Sequence, residues 1–151
     1  MVPGLCYGRT DVELAAPVGP VIEQLAGFRG LIWSSPSARC RAVAAALGPH
    51  TVDPRLLELD FGIWEGMLWD NVPRAALDAW AADVHLFSPP GGESGAALIA
   101  RVRSFHADLP PGDHIVVSHG GPLKVLAALL RGQVPDLHAT PQPLGSVVFT
   151  P

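Results

Sequence analysis

His119 stands between an apolar run, His114-Ile115-Val116-Val117-Ser118, and a stretch of helix formers, Leu123 to Leu130, closed by Gly132. The run, bounded by Asp113 and by glycines, reads as a buried strand and the stretch after it as a helix, so His119 sits on the turn joining them. Gly120 and Gly121 open the backbone to close approach by a ligand, and Pro122 suits a first helical position. The unpaired N–H groups of that helix start then face the same space as the imidazole, which suits phosphate. A second strand-turn-helix carries Arg39, where a guanidinium beside uncapped N–H groups could grip phosphate oxygens in bidentate fashion. Taken alone, Arg39 is equally compatible with a surface arginine. Third come the acids of Leu56-Leu57-Glu58-Leu59-Asp60-Phe61-Gly62-Ile63-Trp64-Glu65-Gly66. Carboxyls packed among Leu, Phe and Trp are candidates for a raised pKa and hence for general-acid work. Spacing alone favours the plainer reading, with Phe61 and Trp64 in the core and the acids at its rim.

The elements that must position these groups alternate between strand and helix. A short helix around Val21 to Ala26 precedes the apolar strand Leu31–Ser35. Ser35 and Pro36 then start a helix, Ala38 to Leu47, that Gly48-Pro49 stops. Thr51-Val52 reads as an edge strand and Pro73 to Val84 as an amphipathic helix. Beyond Gly92-Glu93-Ser94, Leu98, Val102, Phe105 and Leu109 recur at helical spacing on a core face, which sends Arg101 and Arg103 to solvent. Ser146–Thr150 reads as a last strand. The pattern predicts a three-layer α/β/α fold with a mostly parallel sheet, and Ser34-Ser35-Pro36 and Ser118-His119-Gly120 lie at strand carboxyl ends, where such sheets bind ligands.

The 151 residues fit one domain, 1–151, and 48% hydrophobic residues favour a packed core over disorder. No apolar run approaches the roughly 20 residues of a membrane helix, and no signal-peptide layout opens the chain, so the expectation is a cytoplasmic protein without membrane contact. A net charge of −4 without a Lys/Arg block argues against nucleic acid. Cys6 and Cys40 lack metal-ligand spacing and read as ordinary thiols.

Three stretches, Ser34-Ser35-Pro36-Ser37-Ala38-Arg39, Leu57-Glu58-Leu59-Asp60-Phe61-Gly62-Ile63-Trp64-Glu65-Gly66 and Val117-Ser118-His119-Gly120-Gly121, together resemble the histidine phosphatase superfamily, the phosphoglycerate mutase-like fold. Cys6-Tyr7-Gly8-Arg9-Thr10-Asp11 is similar to its α-ribazole phosphatase branch. The resemblance implies a phosphomonoesterase acting on a small phosphorylated metabolite, α-ribazole phosphate among the candidates, with no metal or cofactor. Arg39 would bind the phosphate, His119 would hydrogen-bond the transferring phosphoryl group and Glu58 would protonate the leaving oxygen. Tyr7, Gly8 and Gly120 would line the substrate-binding mouth, and the stretch from Met67 to Pro90 would set leaving-group contacts.

Members of that family open with a strand ending in Arg-His-Gly or Arg-His-Pro, whose histidine takes the phosphoryl group, and this sequence begins after that point. His50, His85, His106, His114 and His138 read as surface or capping residues rather than replacements. Two readings stay open: a phosphatase whose nucleophile lies upstream of Met1, or a catalytically inactive phosphate-ligand-binding or regulatory relative. Loss of that strand would leave Leu31–Ser35 and Ile115–Ser118 without a pairing partner and the chain prone to form an oligomer through exposed edges.

Overall fold

The computed structural model describes residues 4–14, 17–138 and 147. Three parallel strands, β1 (Leu31–Ser34), β2 (Thr51–Val52) and β3 (His114–Val117), form a sheet in the order β2-β1-β3. Around it lie α1 (Gly19–Gln24), α2 (Ala38–Leu47), α3 (Arg74–Ala82), α4 (Gly95–Ala107) and α5 (Gly120–Leu130). The expected strand over Ser146–Thr150 falls outside the described residues apart from Val147. No helix among the described residues is long and apolar enough to cross a membrane.

The sheet separates two sets of helices because its residues alternate sides. Trp33 and Val116, paired across β1 and β3, pack on the cluster formed by Leu98, Val102 and Phe105 of α4 with Val125 and Leu126 of α5. Trp33 meets Phe105 edge-on at 5.5 Å between centroids. Ile32, one step along β1, lies under the C-terminal end of α2 instead. Leu56 and Leu59 join the α4–α5 cluster and bracket Glu58. Burying each such side chain contributes about 1.5–3 kcal/mol, so the loop that carries Glu58 is tied to the core from both sides.

One expectation is overturned in part. The strands Leu31–Ser34 and His114–Val117 are not left without partners: they pair with each other, Leu31 opposite His114 and Ser34 opposite Val117, and β2 covers the other edge of β1. β1 is therefore paired on both edges, whereas β3 is paired on one edge only among the described residues. The turn-rich opening is also pinned. The Cys6 N–H donates to the Met67 carbonyl at 2.8 Å and Gly66 returns a bond to the Cys6 carbonyl at 2.9 Å. Cys6 packs there with Trp64 and Val72 under an aromatic group of Phe61, Trp69, Trp80 and Phe87. Helix α5 begins at Gly120, two residues before Pro122, and His119 is its N-cap.

Candidate functional site

In-register pairing of β1 with β3 brings the chain out of the sheet at one level, and the Ser35 N–H still donates to the Val117 carbonyl at 2.9 Å. The turns leaving the two strands therefore meet. His119, 8% exposed, places Nε2 2.8 Å from Ser35 Oγ and 3.3 Å from Ser37 Oγ. Arg39, in the first turn of α2, places Nη2 3.1 Å from His119 Nδ1. A guanidinium can only donate, so Nδ1 offers its lone pair and the ring proton resides on Nε2. Burial, reinforced by the Arg39 and Arg101 charges, pushes the His119 pKa down to about 3. His119 is a neutral N–H donor across the physiological range.

That depression links stability to pH. The folded pKa lies below the unfolded value of 6.5, so the stabilisation is complete above pH 6.5 and is lost as the pH falls toward 3. The shift corresponds to at most about 5 kcal/mol. Thermal melts of the parent chain should lose stability between pH 6.5 and 4 more steeply than melts of His119→Gln; parallel curves would show that His119 does not titrate as its surroundings require.

Arg39 spends its other donors on the opening loop: Nη2 to the Gly8 carbonyl at 2.7 Å and Nη1 to the Thr10 carbonyl at 2.9 Å, with Asp11 Oδ1 at 3.5 Å. Tyr7 lies 5.5 Å from the guanidinium at its ring centroid. A phosphate oxygen reaching Arg39 would replace one of those carbonyls. Cys40, the next residue, sits with Sγ 3.6 Å from His119 Nε2, and burial pushes its thiol up to about 11, so it is not a thiolate.

Glu58 reaches the same helix start. Gly121 N donates to Oε2 at 3.2 Å and Leu59 N to Oε1 at 2.9 Å. A Cβ on Gly121 would collide with Glu58 Oε1, so the close approach that the paired glycines permit is taken by the protein's own carboxyl. Burial raises the Glu58 pKa against the opposing pull of those N–H groups and of Arg101 and Arg39. The site thus gathers Arg39, Glu58 and His119 at the carboxyl edge of the sheet, with Tyr7 and Gly8 against Arg39 and Gly120 opening α5.

The acids of the Glu58 loop do not all behave alike. Burial raises the Glu65 pKa, but hydrogen bonds outweigh it and hold the carboxyl low. It accepts the N–H groups of Gly8, Arg9, Thr10 and Phe61 at 3.0–3.1 Å and so fastens the opening loop. Gly8 is part of that packing: its N–H goes to Glu65, and a Cβ would strike the Leu59 carbonyl.

Arg101 corrects a second expectation. Its side chain is 16% exposed and points inward, onto backbone carbonyls and Glu93. The signal was in the helical stripe: 101 lies three after Leu98 and four before Phe105, on the core face itself. The remaining histidines lie apart from the site's hydrogen bonds. His114 accepts the Trp33 indole N–H at 3.2 Å and bonds the Pro110 carbonyl at 2.8 Å, while His50 bonds the Gly48 carbonyl at 3.1 Å.

A family model described as "Histidine phosphatase superfamily (branch 1)" matches residues 4–149. Phosphoserine phosphatase 1 of Hydrogenobacter thermophilus is 29% identical over 114 residues, 68% of this chain and 54% of that protein. The solved structure of a candidate alpha-ribazole-5'-P phosphatase from Escherichia coli superposes with a TM-score of 0.77 at 28% identity, over 87% of this chain and 73% of that one. Phosphoglycerate mutase from Thermus thermophilus superposes with a TM-score of 0.68 at 31% identity, over 87% and 79%. The chain spans about half, or less, of the length of the curated relatives it matches.

Proposed function

The chain belongs to the histidine phosphatase superfamily, branch 1, and from that premise we propose that it is the larger part of a phosphomonoesterase that works through a phosphohistidine on a small phosphorylated metabolite. The observation that carries the proposal is the meeting of a neutral His119, the Arg39 guanidinium and a buried, raised-pKa Glu58 around one helix start. An in-line displacement at phosphorus needs donors for its equatorial oxygens and an acid for the departing alkoxide. Arg39 and the His119 Nε2–H are the donors. Glu58 gives its proton to the ester oxygen as the P–O bond breaks, then as carboxylate takes a proton from the water that releases phosphate from the histidine.

The attacking histidine belongs, in this proposal, to an Arg-His strand preceding Met1. Two observations support it. None of the hydrogen bonds around Arg39 and His119 among the described residues comes from a second histidine, and the outer edge of β3 has no strand partner among those residues. Substrate choice within the phosphomonoesters, α-ribazole phosphate included, is part of the proposal's finer reading, which the likeness to the Escherichia coli protein favours.

The test is p-nitrophenyl phosphate hydrolysis, with phosphate binding followed by calorimetry. The 151-residue chain should hydrolyse negligibly yet bind phosphate, its Arg39→Ala variant should lose that binding, and a chain extended through an upstream Arg-His strand should turn over. Binding without turnover in the extended chain would establish the inactive, ligand-binding relative instead. Brisk turnover by the 151 residues alone would overturn the upstream nucleophile and direct substitution to His50 and His114.

A further inference from the structure

Arg101 of α4 has five N–H donors, and the chain uses all five. Nε donates to Glu93 Oε1 at 2.7 Å and Nη2 to Glu93 Oε2 at 2.9 Å. Nη1 donates to the carbonyls of Arg55 at 2.7 Å and Leu57 at 2.6 Å, and Nη2 also to the carbonyl of Glu58 itself at 3.1 Å. A guanidinium with no donor left over cannot also hold a substrate oxygen. Its acceptors are the backbone of the one segment, 55–58, whose last residue is the candidate acid. Glu93 completes the clamp from the loop before α4, where Ser94 Oγ caps the helix by accepting the Ala97 N–H at 3.2 Å.

We infer that Arg101, held by Glu93, is the positioning residue for Glu58: its fork fixes the backbone from which the carboxyl reaches the start of α5. The inference rests on Glu58 being the acid of the proposed reaction. Two physical facts favour it over a plain packing role. Lysine, with three donors and no planar fork, could not satisfy three carbonyls and a bidentate carboxylate together. The guanidinium also bonds the Glu58 backbone carbonyl, and its charge works against the burial that raises the Glu58 pKa, alongside the Leu59 and Gly121 N–H groups. Other charged or titratable groups that act on or feel Glu58 are Arg39 and Cys40 on α2 and Lys124 on α5, and His119 caps the same helix start.

The measurement is an NMR pH titration of the Leu59 and Gly121 amides, whose N–H groups are bonded to the two Glu58 oxygens, in the 151-residue chain. It needs no turnover, so a failure of the phosphatase reading leaves it intact and a failure here leaves that reading intact. Arg101→Gln should raise the Glu58 midpoint by about one pH unit or more, as loss of a nearby opposite charge does. Glu93→Gln should lower it, since a carboxylate leaves while the guanidinium stays. Arg101→Lys should keep the midpoint near the parent's but broaden both amide signals, because charge survives and the fork does not. Arg103→Gln, the same charge change on an exposed position of α4, should do nothing. Opposite signs for Arg101→Gln and Glu93→Gln cannot come from general loosening, which would move both the same way. An unmoved midpoint in Arg101→Gln, or an equal shift in Arg103→Gln, overturns the inference. If Arg101→Gln does not fold, the downward shift in Glu93→Gln decides it, and its absence counts against.

Discussion

Substituting His119 by Ala, in a chain carrying an upstream Arg-His strand, is expected to lower phosphomonoester turnover by two or more orders of magnitude. The imidazole is held neutral by burial and by two cations, with its proton on Nε2 and its Nδ1 lone pair on Arg39. That N–H rests on Ser35 Oγ at 2.8 Å and turns to a phosphoryl oxygen as charge builds there, and removing one fixed donor of this kind costs on the order of 3 kcal/mol. The same bond adds a second loss, because Arg39 would no longer have the ring to orient it. The effect should therefore fall mainly on kcat, with weaker phosphate binding alongside. His119→Asn, which restores an N–H without the ring, should recover a minor part. A rate near the parent's in His119→Ala, with the fold intact by circular dichroism, would make His119 a packing residue and remove the main support for the phosphoryl-transfer reading.

Much of this geometry is legible in the sequence because it obeys strand-turn-helix punctuation. Leu31–Ser34 and His114–Val117 are short apolar runs, the first ending in Ser34 and the second followed by Ser118, that pass straight into helices, so Arg39 and His119 had to leave a parallel sheet on the same side. Other features are hidden because they depend on partners distant in sequence. Glu65 resembles any rim acid until the N–H groups of Gly8, Arg9 and Thr10, 55 to 57 residues earlier, are seen to converge on it. The direct pairing of the two strands escapes a sequence reading since register depends on which edges meet, which no single run discloses. Arg101 is misplaced for a different reason. A charged residue on an apolar stripe is usually assumed to turn away, and only the carbonyls of Arg55, Leu57 and Glu58 give its charge a reason to turn in.

Glu58→Gln is the substitution whose effect should depend most on the substrate. General-acid assistance is worth about 10² to 10⁴ in rate, but only when the leaving group needs the proton. An alkyl phosphate, which must expel an alkoxide, should lose the whole of that factor. A nitrophenolate departs without help, so p-nitrophenyl phosphate should lose far less. The amide keeps the hydrogen bonds' geometry only in part: its oxygen can accept one of the Leu59 and Gly121 N–H groups, and its NH₂ then confronts the other donor. Some common loss from displaced backbone is therefore built in, and the diagnostic quantity is the ratio between the two substrates. The pH profile supplies the sign. With its pKa raised by burial, Glu58 stays protonated, and useful as an acid, to higher pH than an ordinary carboxyl, so the alkaline limb of alkyl phosphate turnover should lie above the usual carboxylate range in the parent and vanish in Glu58→Gln. Equal losses on both substrates, or an unchanged alkaline limb, would show that Glu58 holds the α5 start in place without moving a proton.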